Sequence, residues 1–286
     1  MLSKVAIFIL IMSSFFTIHS AEESVFTFTA IPDQDASRLE QRFGKVSKYL
    51  SKKLNMKVKY VPVKSYAAAI TAFRNNQVQL AWFGGLSGVR ARALVPGSVA
   101  IAQGFEDPNF ITYFIAHHST GLSKSDTFPV KIKGQSFTFG SKGSTSGRLM
   151  PEYHIREKLG EPNKVFSNVG FSGDHSRTIA LVQAGSYKVG AVNYQVWDTM
   201  LKEGKIKLDQ VSVIWKTPTY PDYQWSIRGD VDKVHGKGMI QKVQKALLKM
   251  SDPDLLQSFP RTKFIKAENK DYSPIEKTAK ALDLID

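Results

Sequence analysis

The 286-residue chain contains no cysteine. Disulfides, thiolate metal sites, a cysteine nucleophile and a lipidated cysteine anchor are therefore excluded. Its six histidines are His19, His117, His118, His154, His175 and His235, and no pair has the H-E-x-x-H spacing of a zinc site. His117 and His118 are adjacent, so on a strand they face opposite sides. No pair of carboxylates stands out as a separated acid and base. Zinc-finger spacing and an aromatic RNP-like strand are missing as well. After the first 21 residues, no apolar run approaches the roughly 20 residues needed to span a bilayer. The absences argue against an enzyme, a metal or other cofactor, and a nucleic-acid partner.

What is present begins with charge. Lysine and arginine number 39 against 25 aspartate and glutamate, a formal net charge of +14. Such a field attracts anions. The lysines are scattered over helix-like segments, as at Lys45, Lys48, Lys52 and Lys53 and again at Lys242, Lys245 and Lys249, so most read as solvated helix faces. Residues 1–21 read as a targeting segment. Lys4 supplies the basic start, residues 5–18 the apolar stretch, and His19-Ser20-Ala21 a small-residue cleavage site. Cleavage after Ala21 and export to the periplasm are expected.

The mature chain alternates strand and helix patterns, the signature of parallel strands with crossover helices. Residues 25–31 read as a strand, and a helix capped by Ser37 follows to about Leu54, with Leu39, Phe43, Val46, Leu50 and Leu54 as its apolar stripe. Residues 57–63 and 79–83 read as strands, with an alanine-rich helix between them that Tyr66 begins. Strands at 98–103 and 111–117 end a first unit. A polar stretch, 119–129, places the boundary near 117–120. The second unit repeats the pattern through strands at 137–140, 165–169, 189–193 and 211–215. Residues 223–228 read as a strand crossing back. The tail after Asp252, punctuated by Pro253, Pro260 and Pro274, reads as helical and packs on the first unit. The expected fold is α/β, with two lobes, 22–117 plus 218–286 and 118–217.

Ligands of open α/β sheets sit beyond the carboxyl ends of strands. The richest such position is Ser141-Lys142-Gly143-Ser144-Thr145-Ser146-Gly147, between a strand and a helix. Glycines permit close backbone approach, three consecutive hydroxyls offer donors, and the helix start adds unpaired amides. The same residues also read as an N-cap after a flexible loop. No lysine follows the second glycine, as a P-loop requires, and Thr145 occupies the place a nucleophile elbow gives to serine. Other strand-end candidates are Asp33, Tyr66, Phe83, Gly84, His175, Asn193 and Tyr194.

Ser144-Thr145-Ser146-Gly147, His175 opening the next helix, and Leu80-Ala81-Trp82-Phe83-Gly84 resemble the substrate-binding proteins of phosphonate/phosphite ABC importers. Ile31-Pro32-Asp33-Gln34-Asp35 and Phe171-Ser172-Gly173-Asp174-His175 are similar to a selenate-binding branch of that family. The resemblance implies a type II periplasmic binding protein, with mixed sheets, helices on both faces and a central cleft. It implies that Ser144, Thr145, Ser146, His175 and Tyr66 hold a tetrahedral oxyanion, with Asp33, Phe83 and Gly84 lining the site. Phe83 stands where relatives often carry tyrosine, which removes one donor. Selenate, phosphite and small phosphonates are the implied ligands. The implied partner is an ABC permease in the inner membrane, served by a monomer. A sensing module that signals to a membrane partner would share the fold.

Overall fold

The computed structural model describes residues 25–285. The expected targeting segment lies outside the described residues. The strands are β1 (Phe26–Ala30), β2 (Val58–Tyr60), β3 (Leu80–Phe83), β4 (Val99–Gly104), β5 (Thr112–His117), β6 (Ser136–Phe139), β7 (Asn168–Phe171), β8 (Val189–Asn193), β9 (Val211–Lys216), β10 (Gln224–Ile227) and β11 (Phe264–Lys266).

They form two sheets among the described residues, in the orders β11-β4-β10-β3-β1-β2 and β7-β6-β8-β5-β9. β1 runs parallel to β2 and β3, whereas β10 lies antiparallel between β3 and β4. In the second sheet β6 runs parallel to β7 and β8, and β5 lies antiparallel between β8 and β9. In each sheet the strand that directly follows the chain's passage between the lobes, β10 in the first and β5 in the second, is inserted antiparallel between two others. The expected mixed-sheet, two-lobed α/β architecture is observed.

The first helix, Ala36–Leu54, buries Leu39, Phe43, Val46 and Leu50 on one stripe. Its cap is Asp35 rather than Ser37. The Asp35 carboxylate accepts the Arg38 N–H at 3.1 Å, and the Ser37 hydroxyl donates to that carboxylate at 2.7 Å. A carboxylate placed immediately before the first helical residue outcompetes a hydroxyl already inside the turn. The core of lobe 1 is aromatic: Trp82 packs on Trp225 and Phe259 with ring centroids 5.2 and 5.4 Å away, and Phe28 packs edge-on to Phe43 and Trp225. In lobe 2, Phe114, Phe137, Phe139 and Trp215 cover one side of the sheet, and Ile115, Ile179, Val192 and Trp197 the other.

Three further sequence expectations differ from the structure. Residues 112–117 were expected in lobe 1, but β5 pairs with β8 and β9, so the chain enters lobe 2 through residues 105–111. Alternation identifies a strand but not the sheet that receives it. The expected strand at 165–169 begins later, because Pro162 starts a short helix, Pro162–Val165, ahead of β7. The tail after Asp252 is not wholly helical, since β11 adds to the edge of lobe 1 against β4.

The return crossing is residues 217–223. The two crossings pair with each other. Phe110 and Tyr220 exchange backbone hydrogen bonds at 2.9 and 3.0 Å, and the Asp222 N–H donates to the Asp107 carbonyl at 3.0 Å. This two-stranded ribbon is the hinge between the lobes.

Candidate functional site

The glycine/hydroxyl loop leaves β6 and enters a π-helical turn, Thr145–Leu149, before the helix Met150–Lys158. The Leu149 N–H reaches back to the Ser144 carbonyl at 3.0 Å. Such widened turns concentrate at functional sites because they splay consecutive side chains. Gly147 lets the loop pack closely here: a Cβ would lie 3.0 Å from the His175 ring and 3.1 Å from Gly140 Cα.

Ser144, Thr145 and Ser146 are all buried. Ser144 Oγ accepts the Gly147 N–H at 2.9 Å, so the N-cap reading of this residue is also correct. Thr145 Oγ1 accepts the Leu86 N–H of lobe 1 at 3.0 Å. Ser146 Oγ lies 3.4 Å from His175 Nε2. The Asn193 N–H donates to His175 Nδ1 at 3.2 Å. That bond fixes the remaining ring proton on Nε2, aimed at Ser146. Burial holds His175 down to about 4 against an opposing pull from Asp33, so the ring is a neutral donor at neutral pH. Each of the three hydroxyl oxygens therefore already receives an N–H, and the hydroxyls of Ser144, Thr145 and Ser146 lie beside Tyr66, Asp222 and Tyr220 respectively.

Lobe 1 supplies the facing wall. Tyr66 is buried, with its Cβ 3.1 Å and its ring 3.5 Å from where a Gly143 Cβ would lie, and its hydroxyl beside Ser144. Asp33 and Asp222 are buried carboxylates. Asp33 Oδ2 accepts the Tyr223 hydroxyl at 2.9 Å, and the Asp33 carbonyl accepts the His175 N–H at 3.0 Å, which closes lobe 1 onto lobe 2. Asp33 Oδ1 has no hydrogen-bond partner. Asp222 Oδ1 accepts the Gly85 N–H at 2.8 Å, while Oδ2 has no partner. Burial raises the Asp222 carboxyl to about 7, with the Gly85 N–H and the neighbouring Thr145 hydroxyl opposing. A Cβ on Gly84 would lie 3.0 Å from Asp222 Oδ1 and 3.3 Å from Thr145 Oγ1. The bare Gly84 backbone is what lets the two lobes meet at this point.

Ser144, Thr145, Ser146, His175, Tyr66, Asp33 and Gly84 therefore converge. Gly84 donates its N–H to Ser87 Oγ at 3.0 Å. Phe83 packs edge-on to Phe73 inside lobe 1, while its neighbour Trp82 stacks on Tyr223. Arg148 pairs with Glu152 and rests on the Phe139 and Phe171 rings. Asp198 lines a separate groove of about 880 Å³ with Arg38, Arg42, Lys202 and Glu203. Sequence reasoning missed Asp222 and Tyr223. Their segment carries no local motif, and only the return crossing brings it to the cleft.

The model of the family described as "ABC transporter, phosphonate, periplasmic substrate-binding protein" matches residues 28–272. The chain belongs to this family. It is 42% identical over 265 residues to a probable ABC transporter phosphite binding protein of Prochlorococcus marinus (strain MIT 9301), covering 90% of this chain and 89% of that one. It is 26% identical over 204 residues to the phosphonates-binding periplasmic protein of Escherichia coli (strain K12), covering 70% and 60%. The solved structure of PhnD1 from Prochlorococcus marinus in complex with methylphosphonate matches with a TM-score of 0.88 at 41% identity, over 91% of this chain and 99% of that one. The protein is a periplasmic substrate-binding component of an ABC importer, a binder rather than an enzyme. The narrower likeness to a selenate-binding branch gains no support from these relatives.

Proposed function

We propose that this binding protein captures phosphite or a small phosphonate, as an oxyanion with an ionisable P–OH, and delivers it to an inner-membrane ABC permease. The observation that carries this reading is the meeting of three buried hydroxyls, whose oxygens each face an N–H, with an unpartnered buried carboxyl oxygen of Asp222. Ser144, Thr145 and Ser146 donate to the anion, joined by the Tyr66 hydroxyl, and His175 Nε2–H holds the Ser146 oxygen so that this donor is oriented. Hydrogen bonds to a charged group contribute roughly 1.5–3 kcal/mol each. Several of them hold an anion in a dry cleft without a facing lysine or arginine.

Asp222 sets the protonation state that the site accepts. An ionised Oδ2 needs a donor, and a phosphonate or phosphite P–OH supplies one, whereas sulfate and selenate carry no proton near neutral pH. A site built to bond a particular hydroxyl rejects analogues that lack it. The names of the phosphite- and methylphosphonate-binding relatives support the same ligand class. Asp33 holds Tyr223 in place, Gly84 gives Asp222 room, and Phe83 backs the wall from within lobe 1. The segment ending at Ala21 is removed on export, and the mature chain acts as a monomer.

Thermal stabilisation with phosphite, methylphosphonate, sulfate and selenate tests the proposal. A ligand at 100 times its dissociation constant adds about 2.7 kcal/mol. Stabilisation by phosphite or methylphosphonate that Ser144→Ala abolishes is expected. A preference for sulfate or selenate at pH 8 would refute the assignment of Asp222.

A further inference from the structure

Gln195 is buried in the first turn of the lobe 2 helix Tyr194–Lys202. Its carboxamide crosses to lobe 1. The Nε2–H donates to the Pro260 carbonyl at 3.1 Å, and Oε1 accepts from Arg261 Nη1. Arg261 is itself immobilised. Its Nε donates to both Asp107 carboxylate oxygens at 3.0 Å, its Nη2 donates to Oδ1 at 2.6 Å, and its Nη1 also donates to the Phe259 carbonyl at 2.5 Å. The guanidinium lies 5.7 Å from the Trp82 ring, 5.8 Å from Phe110 and 5.2 Å from Tyr223. Asp107 sits in the outgoing crossing, and its carbonyl accepts the Asp222 N–H of the return crossing. Arg261 is thus fixed at the hinge, with one N–H presented to lobe 2.

On its other side Gln195 is tied to the candidate site. Its backbone N–H donates to Asn193 Oδ1 at 2.7 Å, and the Asn193 N–H donates to His175 Nδ1. Asn193 Nδ2 donates to the Tyr223 hydroxyl, which in turn donates to Asp33. One short run of hydrogen bonds therefore joins the site imidazole to the hinge guanidinium, and Gln195 is the member that spans the lobes.

We propose that Gln195 is a positioning residue for ligand capture. Its carboxamide docks on Arg261 and Pro260 only when lobe 2 has swung against lobe 1, and this docking stabilises the closed, ligand-holding geometry. The proposal rests on the reading that the anion sits at Ser144–Ser146 and His175. Rotation about the paired crossings, 105–111 and 217–223, moves Gln195 away from Arg261 while leaving the Asp107–Arg261 pair intact. Gln195 therefore acts on closure and not on the integrity of either lobe.

The test uses the mature chain with phosphite and methylphosphonate as probes, in three forms: unaltered, Gln195→Leu and Ser144→Ala. Leucine keeps the volume and removes both interlobe hydrogen bonds. The expected result for Gln195→Leu is a 10- to 100-fold weaker dissociation constant, from hydrogen bonds of which one has a charged donor. The change should appear in the release rate by stopped-flow, with the association rate held within about threefold and the ligand-free melting temperature unchanged. Release and affinity within twofold of the unaltered chain would overturn the proposal, as would a ligand-free destabilisation large enough to account for the whole loss. Wild-type binding by Ser144→Ala together with fast release from Gln195→Leu would overturn the anion-site reading and keep the role in closure. Lost binding in Ser144→Ala with normal release from Gln195→Leu would do the reverse. No binding of either probe by the unaltered chain would overturn both.

Discussion

Replacing Asp222 with asparagine tests how the cleft reads the charge of its ligand. In the unaltered protein burial raises this carboxyl to about 7, with Asp107 pushing it further up and Arg261 pulling it down. A sulfate or selenate dianion then has two routes into the site at pH 8.5. It can face an ionised Asp222, at a cost of about 4 kcal/mol per charge pair at 4 Å and an effective dielectric of about 20. Alternatively Asp222 takes up a proton first, which costs about 1.4 kcal/mol per pH unit above 7, or about 2 kcal/mol in total. The second route is cheaper and sets the penalty, so affinity for these dianions should fall about tenfold per pH unit above 7. In Asp222→Asn the amide is a permanent donor and the decline disappears. Relative to pH 5.5, the variant should gain about 30-fold for sulfate at pH 8.5. Phosphite and methylphosphonate respond oppositely. Their P–OH loses its carboxylate acceptor, and at neutral pH affinity should drop about 10- to 100-fold, the value of one hydrogen bond to a charged group. Isothermal titration from pH 5.5 to 8.5 in phosphate-free buffer measures both. Parallel pH profiles for the two proteins with sulfate would refute the reasoning.

His175→Ala should weaken phosphite binding by at least tenfold, measured by titration, because the fixed Nε2–H that orients the Ser146 hydroxyl is lost. The ligand-free protein should also lose stability between pH 6.5 and 4. The His175 ring is held down to about 4, so the unfolded chain binds the proton first; the loss is on the order of 3 kcal/mol and should be missing from the denaturant midpoints of His175→Asn. At the rim, Arg38 Nη1 donates to Glu203 Oε1 at 2.9 Å across the lobes, and Glu203 is held down to about 2, chiefly by that guanidinium. Both side chains are partly exposed, so Glu203→Gln should speed ligand release by no more than about fivefold, with the difference vanishing in 1 M salt. Gly84→Ala places a Cβ 3.0 Å from Asp222 Oδ1, which should cost about 1–3 kcal/mol in thermal unfolding and weaken ligand binding.

The physical logic of the cleft is capture by neutral donors. Serine and threonine hydroxyls whose oxygens already accept N–H groups are oriented before the ligand arrives, so little further ordering is needed on binding. The chain's positive charge of +14 draws anions toward the surface, while selection falls to buried groups that salt does not screen.

The sequence by itself determined the alternation of strand and helix, the apolar stripe of Ala36–Leu54, and the hydroxyl loop at Ser144–Ser146. It also gave His175 its place at a helix start, because capping and periodicity are local properties. Local pattern likewise sufficed for the family likeness. Only the tertiary structure decided that β5 belongs to the second sheet, that β11 closes the edge of the first, and that Phe83 faces Phe73 rather than the loop. Only tertiary structure brought Asp222 to Gly85 and Gln195 to Arg261, contacts that span 137 and 66 residues of chain. Such pairs follow from how the two crossings fold back on each other, and no short-range pattern of hydrophobicity or turn chemistry encodes that geometry.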